Sequence, residues 1–160
     1  MINTVEDILA IERIKKLRIK YAHYLDSGNI EGLLSLFSAD AICQTDREPW
    51  RGREEIRTGL EKAFADYDSQ KHGSYPFLHA ITNQWVELTG NGTAQGRCYL
   101  IDLVTQRDKG ESPLLLLGIY SDEYRLIDDS WQITRSRLDL AWPQRDILGG
   151  EPGIDLQLPQ

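Results

Sequence analysis

The apolar periodicity of this chain changes once along its length, and that change restricts the possible folds more than any other feature. Before Gly73, apolar residues recur every three or four positions, which places them on one face of a helix. After Gly73 they alternate with polar residues, which is typical of β-strands. Helices followed by strands predict an α+β fold in which the helices pack on one side of an antiparallel sheet.

The first helix has clear start and stop signals. Thr4-Val5-Glu6-Asp7 has the pattern of a capping box, in which the first and last side chains bond each other's backbone amides. Ser27-Gly28-Asn29 ends the helix, because Gly28 adopts the left-handed cap conformation at little cost. The other early elements are expected as a helix at 30–37, a turn at 38–40, a strand at 41–44, a loop at 50–53 and a helix at 54–67.

Four long strands are expected in the second half of the chain, at residues 75–88, 93–105, 113–126 and 131–142. Asn91-Gly92 is the favoured pair for a type I′ hairpin turn, and 128–130 form a second tight turn. Strands of about 12 residues exceed the usual five to six, and long twisted strands curl. We therefore predict three helices on a strongly curved, mostly antiparallel sheet that forms a cone with an internal pocket.

Composition excludes several classes of function. The net charge of −7 argues against binding nucleic acid or an anionic membrane surface, since both reward a basic protein face. The sequence shows no signal-peptide pattern or membrane-spanning run, so a cytoplasmic location is expected. Cys43 and Cys98 form no CxxC pair, and we interpret both as buried thiols in strands. Histidine and carboxylate spacing matches no metal motif.

Asp26 and His79 are the residues most suited to chemistry. Asp26 closes the first helix, where the helix dipole disfavours a carboxylate, and His79 lies near the start of the first long strand. A carboxylate can orient an imidazole and stabilise its protonated form, so that the imidazole acts as a general base near neutral pH. The alternatives are a structural histidine in the core and an aspartate that makes a local turn bond.

Several stretches together carry a resemblance to a known family: residues 11–37, 52–56, 79–88, 118–120 and 131–137, with Trp142 at the end. In this order they resemble the SnoaL-like superfamily, also called the nuclear-transport-factor-like cone fold. The branch they resemble includes scytalone dehydratase, the bile acid 7α-dehydratase and hexachlorocyclohexane dehydrochlorinase. The resemblance implies a domain over residues 1–142, followed by a tail at 143–160 that acts as a lid or an oligomer contact.

The resemblance also implies a function. It suggests a lyase or isomerase, most simply a dehydratase, that acts on a hydrophobic small molecule without metal or organic cofactor. His79 would be the base, Asp26 its orienter and Tyr21 the pocket tyrosine. Scytalone dehydratase has a second histidine on the next long strand, but residues 97–101 contain none here. The leaving group stays open, so dehydrohalogenation, isomerisation and cyclisation remain alternatives. Further candidates for substrate contact are Tyr24, Asn83, Tyr99, Tyr120 and Arg137.

The same fold also serves in proteins that are not enzymes. The alternative function is a ligand-binding or assembly module, like the small subunit of ring-hydroxylating dioxygenases. Either function is compatible with a homo-oligomer, a trimer or a dimer, because the open face of a curved, partly apolar sheet needs covering. Contact between Asp26 and His79 inside a cavity would favour the enzyme.

Overall fold

Helices pack against one face of an open six-stranded sheet in the computed structural model, which describes residues 4–45, 48–68 and 76–143. The predicted α+β class is confirmed. The elements are α1 (Val5–Asp26), α2 (Ile30–Leu34), β1 (Phe37–Gln44), β2 (Trp50–Arg51), α3 (Gly52–Tyr67), β3 (Phe77–Gly90), β4 (Thr93–Val104), β5 (Leu114–Ile127) and β6 (Ser130–Trp142).

The strand order is β2-β1-β6-β5-β4-β3. Strands β3 to β6 form the predicted antiparallel meander, and β1 runs parallel to β6, which makes the sheet mixed. At the first hairpin Asn91 and Gly92 both have positive φ, as a type I′ turn requires. Asp128 and Asp129 have positive φ at the second. We call the sheet face toward the helices the inner face and the opposite one the outer face.

The capping box at the start of α1 is confirmed. The Thr4 hydroxyl accepts from the Asp7 amide at 3.1 Å, and the Asp7 carboxylate accepts from the Thr4 amide at 3.0 Å. Gly28 has a φ of +67° just beyond the helix, as predicted for the residue that ends it. The buried face of α1 consists of Ile11, Ile14, Arg18, Tyr21, Ala22 and Leu25.

The region between α1 and α3 differs from the prediction. Helix α2 ends at Leu34, and Phe37 is the first residue of β1, so residues 38–40 are strand and not turn. The Ile133 amide donates to the Leu36 carbonyl at 2.8 Å where β1 starts to pair with β6. Trp50 is not in a loop but pairs with Cys43 through β2. Pairing with segments distant in sequence overrides the local propensity here.

Cys43 and Cys98 are buried free thiols in β1 and β4, which confirms the interpretation from sequence. The predicted tail lies outside the described residues from position 144 onward. None of the helices in the described ranges has the length and apolar character needed to cross a membrane. The cytoplasmic location stays a prediction.

Candidate active site

A cavity of about 110 Å³ lies between the inner face of the sheet and helices α1 and α3. Among the described residues, five contribute polar side chains to its lining and the others are mainly apolar. The polar ones are Tyr21, Thr45, His79, Asp102 and Tyr120, and the apolar ones include Leu25, Trp50, Leu60, Phe77, Leu116 and Leu138. The internal pocket expected from the sequence is therefore present, and a few polar groups converge in it.

Asp26 and His79 are in contact at this cavity. Asp26 is the last residue of α1, and His79 is the third residue of β3. Their side chains meet at 2.6 Å between Asp26 Oδ1 and His79 Nδ1, and the His79 backbone amide donates to both carboxylate oxygens at 3.2 Å. Because a carboxylate only accepts, Nδ1 carries the proton. The end of α1 and the start of β3, which are distant in sequence, thus fix both the carboxylate and the ring tautomer.

A second carboxylate, Asp102, lies on the other side of the imidazole. It is the direct cross-strand partner of His79 in β4, and its Oδ2 is 3.5 Å from His79 Nε2. Its Oδ1 is buried and has no hydrogen-bond partner within the described residues. Burial raises the pKa of Asp102 to about 6, the Asp26 charge adds to the rise, and His79 opposes it. A carboxyl that holds its proton near pH 6 can act as an acid.

The position of Asp102 beside His79 could not be predicted from the sequence because of two register shifts. If β3 and β4 paired from the Asn91-Gly92 turn onward without a register shift, His79 would pair with Val104. Shifts between Thr82 and Trp85 and again after Leu88 move the partner to Asp102 instead. The one available signal was the acidic residue inside an otherwise apolar strand segment, immediately after residues 97–101.

Tyr21 and Tyr120 form the other polar part of the cavity wall. Their rings meet edge to face, with centroids 6.0 Å apart and an interplanar angle of 67°. Burial raises the pKa of both phenols above the ordinary value, and a hydrogen bond from Tyr120 partly opposes the rise for Tyr21. Both side chains are therefore neutral hydrogen-bond donors at physiological pH.

The remaining candidate residues do not line the cavity. Tyr24 is half-buried against the core, and Asn83 is exposed with a φ of 51° at the register shift in β3. Tyr99 is 46% exposed on the outer face. Arg137 lies between inward-facing residues of β6 and donates from Nε to Asp139 at 2.9 Å, on the outer face.

No group of three or more His, Cys, Asp or Glu side chains in the described ranges has the arrangement of a metal site. The described residues at the cavity supply an imidazole, two carboxyl groups, two phenols and the Thr45 hydroxyl group.

Comparison with known proteins gives the family. The sequence pattern of the SnoaL-like domain matches residues 6–137. The chain belongs to the SnoaL-like domain family. None of the curated proteins matches it.

Solved structures share the fold of this SnoaL-like domain. A candidate aromatic ring hydroxylase from Novosphingobium aromaticivorans has 29% identity and a TM-score of 0.70, covering 89% of this chain and 94% of its own. A candidate scytalone dehydratase from the same organism has 19% identity and a TM-score of 0.71, covering 92% and 95%. A candidate dehydratase of the NTF2-like family from Streptomyces avermitilis has 20% identity and a TM-score of 0.66, covering 83% and 96%.

Proposed function

We propose that this SnoaL-like domain is a cofactor-independent lyase, a dehydratase that acts on a hydrophobic small molecule. The observation that carries the proposal is an imidazole between two carboxyl groups at the wall of an apolar cavity. Asp26 bonds one ring nitrogen of His79 at 2.6 Å, and Asp102 lies 3.5 Å from the other. A merely structural subunit has no need for such a group at a cavity wall.

His79 is the general base in this proposal. Its Nδ1 proton is donated to Asp26, so Nε2 takes the proton from a substrate carbon next to a carbonyl group. The Asp26 carboxylate stabilises the imidazolium that forms. The negative charge that develops on the substrate carbonyl oxygen is stabilised by hydrogen bonds from Tyr21 and Tyr120.

Asp102 is the general acid that completes the elimination. Its carboxyl proton passes to the leaving hydroxyl group, which departs as water while the carbon–carbon double bond forms. The imidazolium of His79 then returns its proton to the Asp102 carboxylate across the 3.5 Å gap, and both groups regain their starting state. Because the acid and the base are adjacent, the proton and the hydroxyl leave from the same side of the substrate.

The lining favours a neutral substrate of about one ring. The described lining contains no lysine or arginine, and the Asp26 carboxylate brings negative charge next to the same wall. A carboxylate or phosphate on the substrate would touch no cation among the described lining side chains, which is costly in an apolar cavity. A neutral β-hydroxy ketone matches the site in both size and charge.

The experiment is a screen of cyclic and short-chain β-hydroxy ketones for enone formation, followed by absorbance. For a compound that reacts, His79→Gln is expected to lower kcat by about 10² to 10⁴-fold, the usual contribution of a general base. His23→Gln, at an exposed position in the last turn of α1, is the control and keeps full activity. Equal activity of His79→Gln and the native protein would refute the assignment.

One observation favours a second function. The aromatic ring hydroxylase relative has higher identity than the two dehydratase relatives cited above, and an assembly subunit would not need catalysis. On that alternative the cavity would bind ligand or remain empty, and His79→Gln would change no rate. A stable complex with a catalytic hydroxylase subunit, formed equally well by His79→Gln, would support it.

We also propose that the outer face of the sheet is an interface between copies of this chain. Large apolar side chains are exposed there, among them Leu78, Tyr99, Ile101 and Leu117, which we call the outer patch. They sit on neighbouring strands, since Ile101 is paired with Leu117 and lies two residues from Tyr99. Contiguous apolar surface of this kind marks an interaction site.

A further inference from the structure

Arg18 is a fully buried cation directly behind the cavity wall. It lies on the inward face of α1, three residues before Tyr21, and its relative exposure is 0%. Its guanidinium carbon is 4.3 Å from the centre of the Tyr21 ring and 4.0 Å from the centre of the Tyr120 ring. Arg18 does not line the cavity, whereas both tyrosines do.

We propose that Arg18 is a positioning residue that strengthens Tyr21 and Tyr120 as hydrogen-bond donors to a substrate oxygen that gains negative charge. This inference rests on the proposed function and adds to it a residue that acts on the two tyrosine donors from behind the cavity wall. The family comparison and the sequence patterns gave no role to Arg18. A cation over a phenol ring makes the ring poorer in electrons, and the hydroxyl becomes a stronger donor.

The geometry holds the guanidinium in place against both rings. Its Nε donates to Asp122 Oδ2 at 2.9 Å, Nη2 donates to Ser136 Oγ at 2.7 Å, and Nη2 also pairs with Asp122 Oδ1. The Tyr124 hydroxyl donates to Asp122 Oδ2 at 2.8 Å, which further fixes the carboxylate. The side chain thus cannot swing away from the rings without breaking a buried bidentate pair.

The placement is costly for a purely structural residue. A buried ion pair is often no more stabilising than apolar side chains of similar volume. In addition, Arg18 Nη1 is buried without a hydrogen-bond partner in the described part of the chain. Burial raises the pKa of both phenols, while the charge of Arg18 acts in the opposite direction on each. The cation thus offsets part of the cost of negative charge at this wall.

The test uses 4-nitrophenol, because the absorbance of the bound probe reports directly whether its oxygen is ionised. We expect the apparent pKa of the bound probe to be lower in the native protein than in a variant that lacks the Arg18 charge. The double variant Arg18→Met with Asp122→Asn removes the pair without changing the net charge. We expect this double variant to bind the phenolate about tenfold more weakly than the native protein does, while its affinity for the neutral phenol stays within about twofold of the native affinity.

Three further variants make the result decisive. Arg57→Met removes an exposed arginine that pairs with Glu31, and it should leave the probe unchanged. Tyr120→Phe keeps the ring but removes the donor, so it should lose the phenolate preference even if the double variant does not fold. His79→Gln removes the proposed base and should keep most of the preference.

The outcomes separate this inference from the proposed function. The role of Arg18 is overturned if the preference for phenolate persists in the Arg18 double variant and in Tyr120→Phe but is lost in His79→Gln. That result leaves the assignment of His79 as the general base intact. Failure of the native protein to bind the probe also overturns it, and so does an apparent pKa of the bound probe that is no lower in the native protein than in the Arg18 double variant. Loss in the double variant and retention in His79→Gln supports it even if no dehydration is found.

Discussion

Replacing Asp102 by asparagine should stabilise the protein at neutral pH and not at acid pH. Burial raises the pKa of this carboxyl from its ordinary 3.8 to about 6, so the folded state holds the proton more tightly than the unfolded chain does. The ionised form therefore costs stability, and that cost develops as the pH rises from about 4 to 6 and is constant above. Asparagine has nearly the same shape and never ionises.

The magnitude follows from the pKa. A change from 3.8 to about 6 is roughly a hundredfold change in proton affinity, or about 3 kcal/mol. Water that enters the cavity screens part of this cost of ionising Asp102. We therefore expect Asp102→Asn to raise the free energy of unfolding by about 1 to 2 kcal/mol at pH 8. At pH 4 the expected difference is close to zero.

Urea unfolding at pH 4, 6 and 8 measures this difference. Asp66→Asn, at an exposed position on α3, is the matched control and should show no pH-dependent gain. A gain for Asp102→Asn that is the same at pH 4 and pH 8, or a loss of stability at pH 8, would refute the argument that burial of an ionised Asp102 is unfavourable.

Three further predictions follow from the cavity and the sheet. In a reaction that uses Asp102 as the acid, kcat/KM should fall as the pH rises through about 6, and the pH–rate profile of Asp102→Asn should lack that limb. Gly59→Ala should cost about 1 to 3 kcal/mol in urea unfolding, because a Cβ there would lie 2.1 Å from the Trp50 indole, while Thr58→Ala should cost little. Ile101→Lys, in the outer patch, should convert an oligomer to monomers in analytical ultracentrifugation, and an unchanged mass would contradict that interface.

Elements with local sequence signals were predicted well. The capping box at Thr4 and the Asn91-Gly92 turn depend on side-chain and backbone chemistry within a few residues, and both appear as expected. Strand β1 was predicted only over residues 41–44, and the residues of β2 were predicted as a loop. Residues 37–44 become a strand because β6, almost one hundred positions later in the chain, supplies the hydrogen bonds. Local propensity contains no information about that partner.

The candidate site was predicted in part for the same reason. Asp26 and His79 stand out by residue type and position, and the structure brings them together. Asp102 depends on two register shifts that no local pattern in β3 or β4 reveals. Arg18 left a signal in the sequence, since it falls four residues after Ile14 and three before Tyr21 on the apolar stripe of α1. A charge on that stripe indicates either a buried ion pair or a site.

The central claim is that His79 removes a proton from carbon. It can be tested without the natural substrate, by following deuterium incorporation next to the carbonyl group of cyclohexanone in heavy water by NMR. The native protein should accelerate the exchange, His23→Gln should do so equally, and His79→Gln should show only the rate of the buffer. Equal acceleration by the native protein and His79→Gln, or none by either, would contradict the claim.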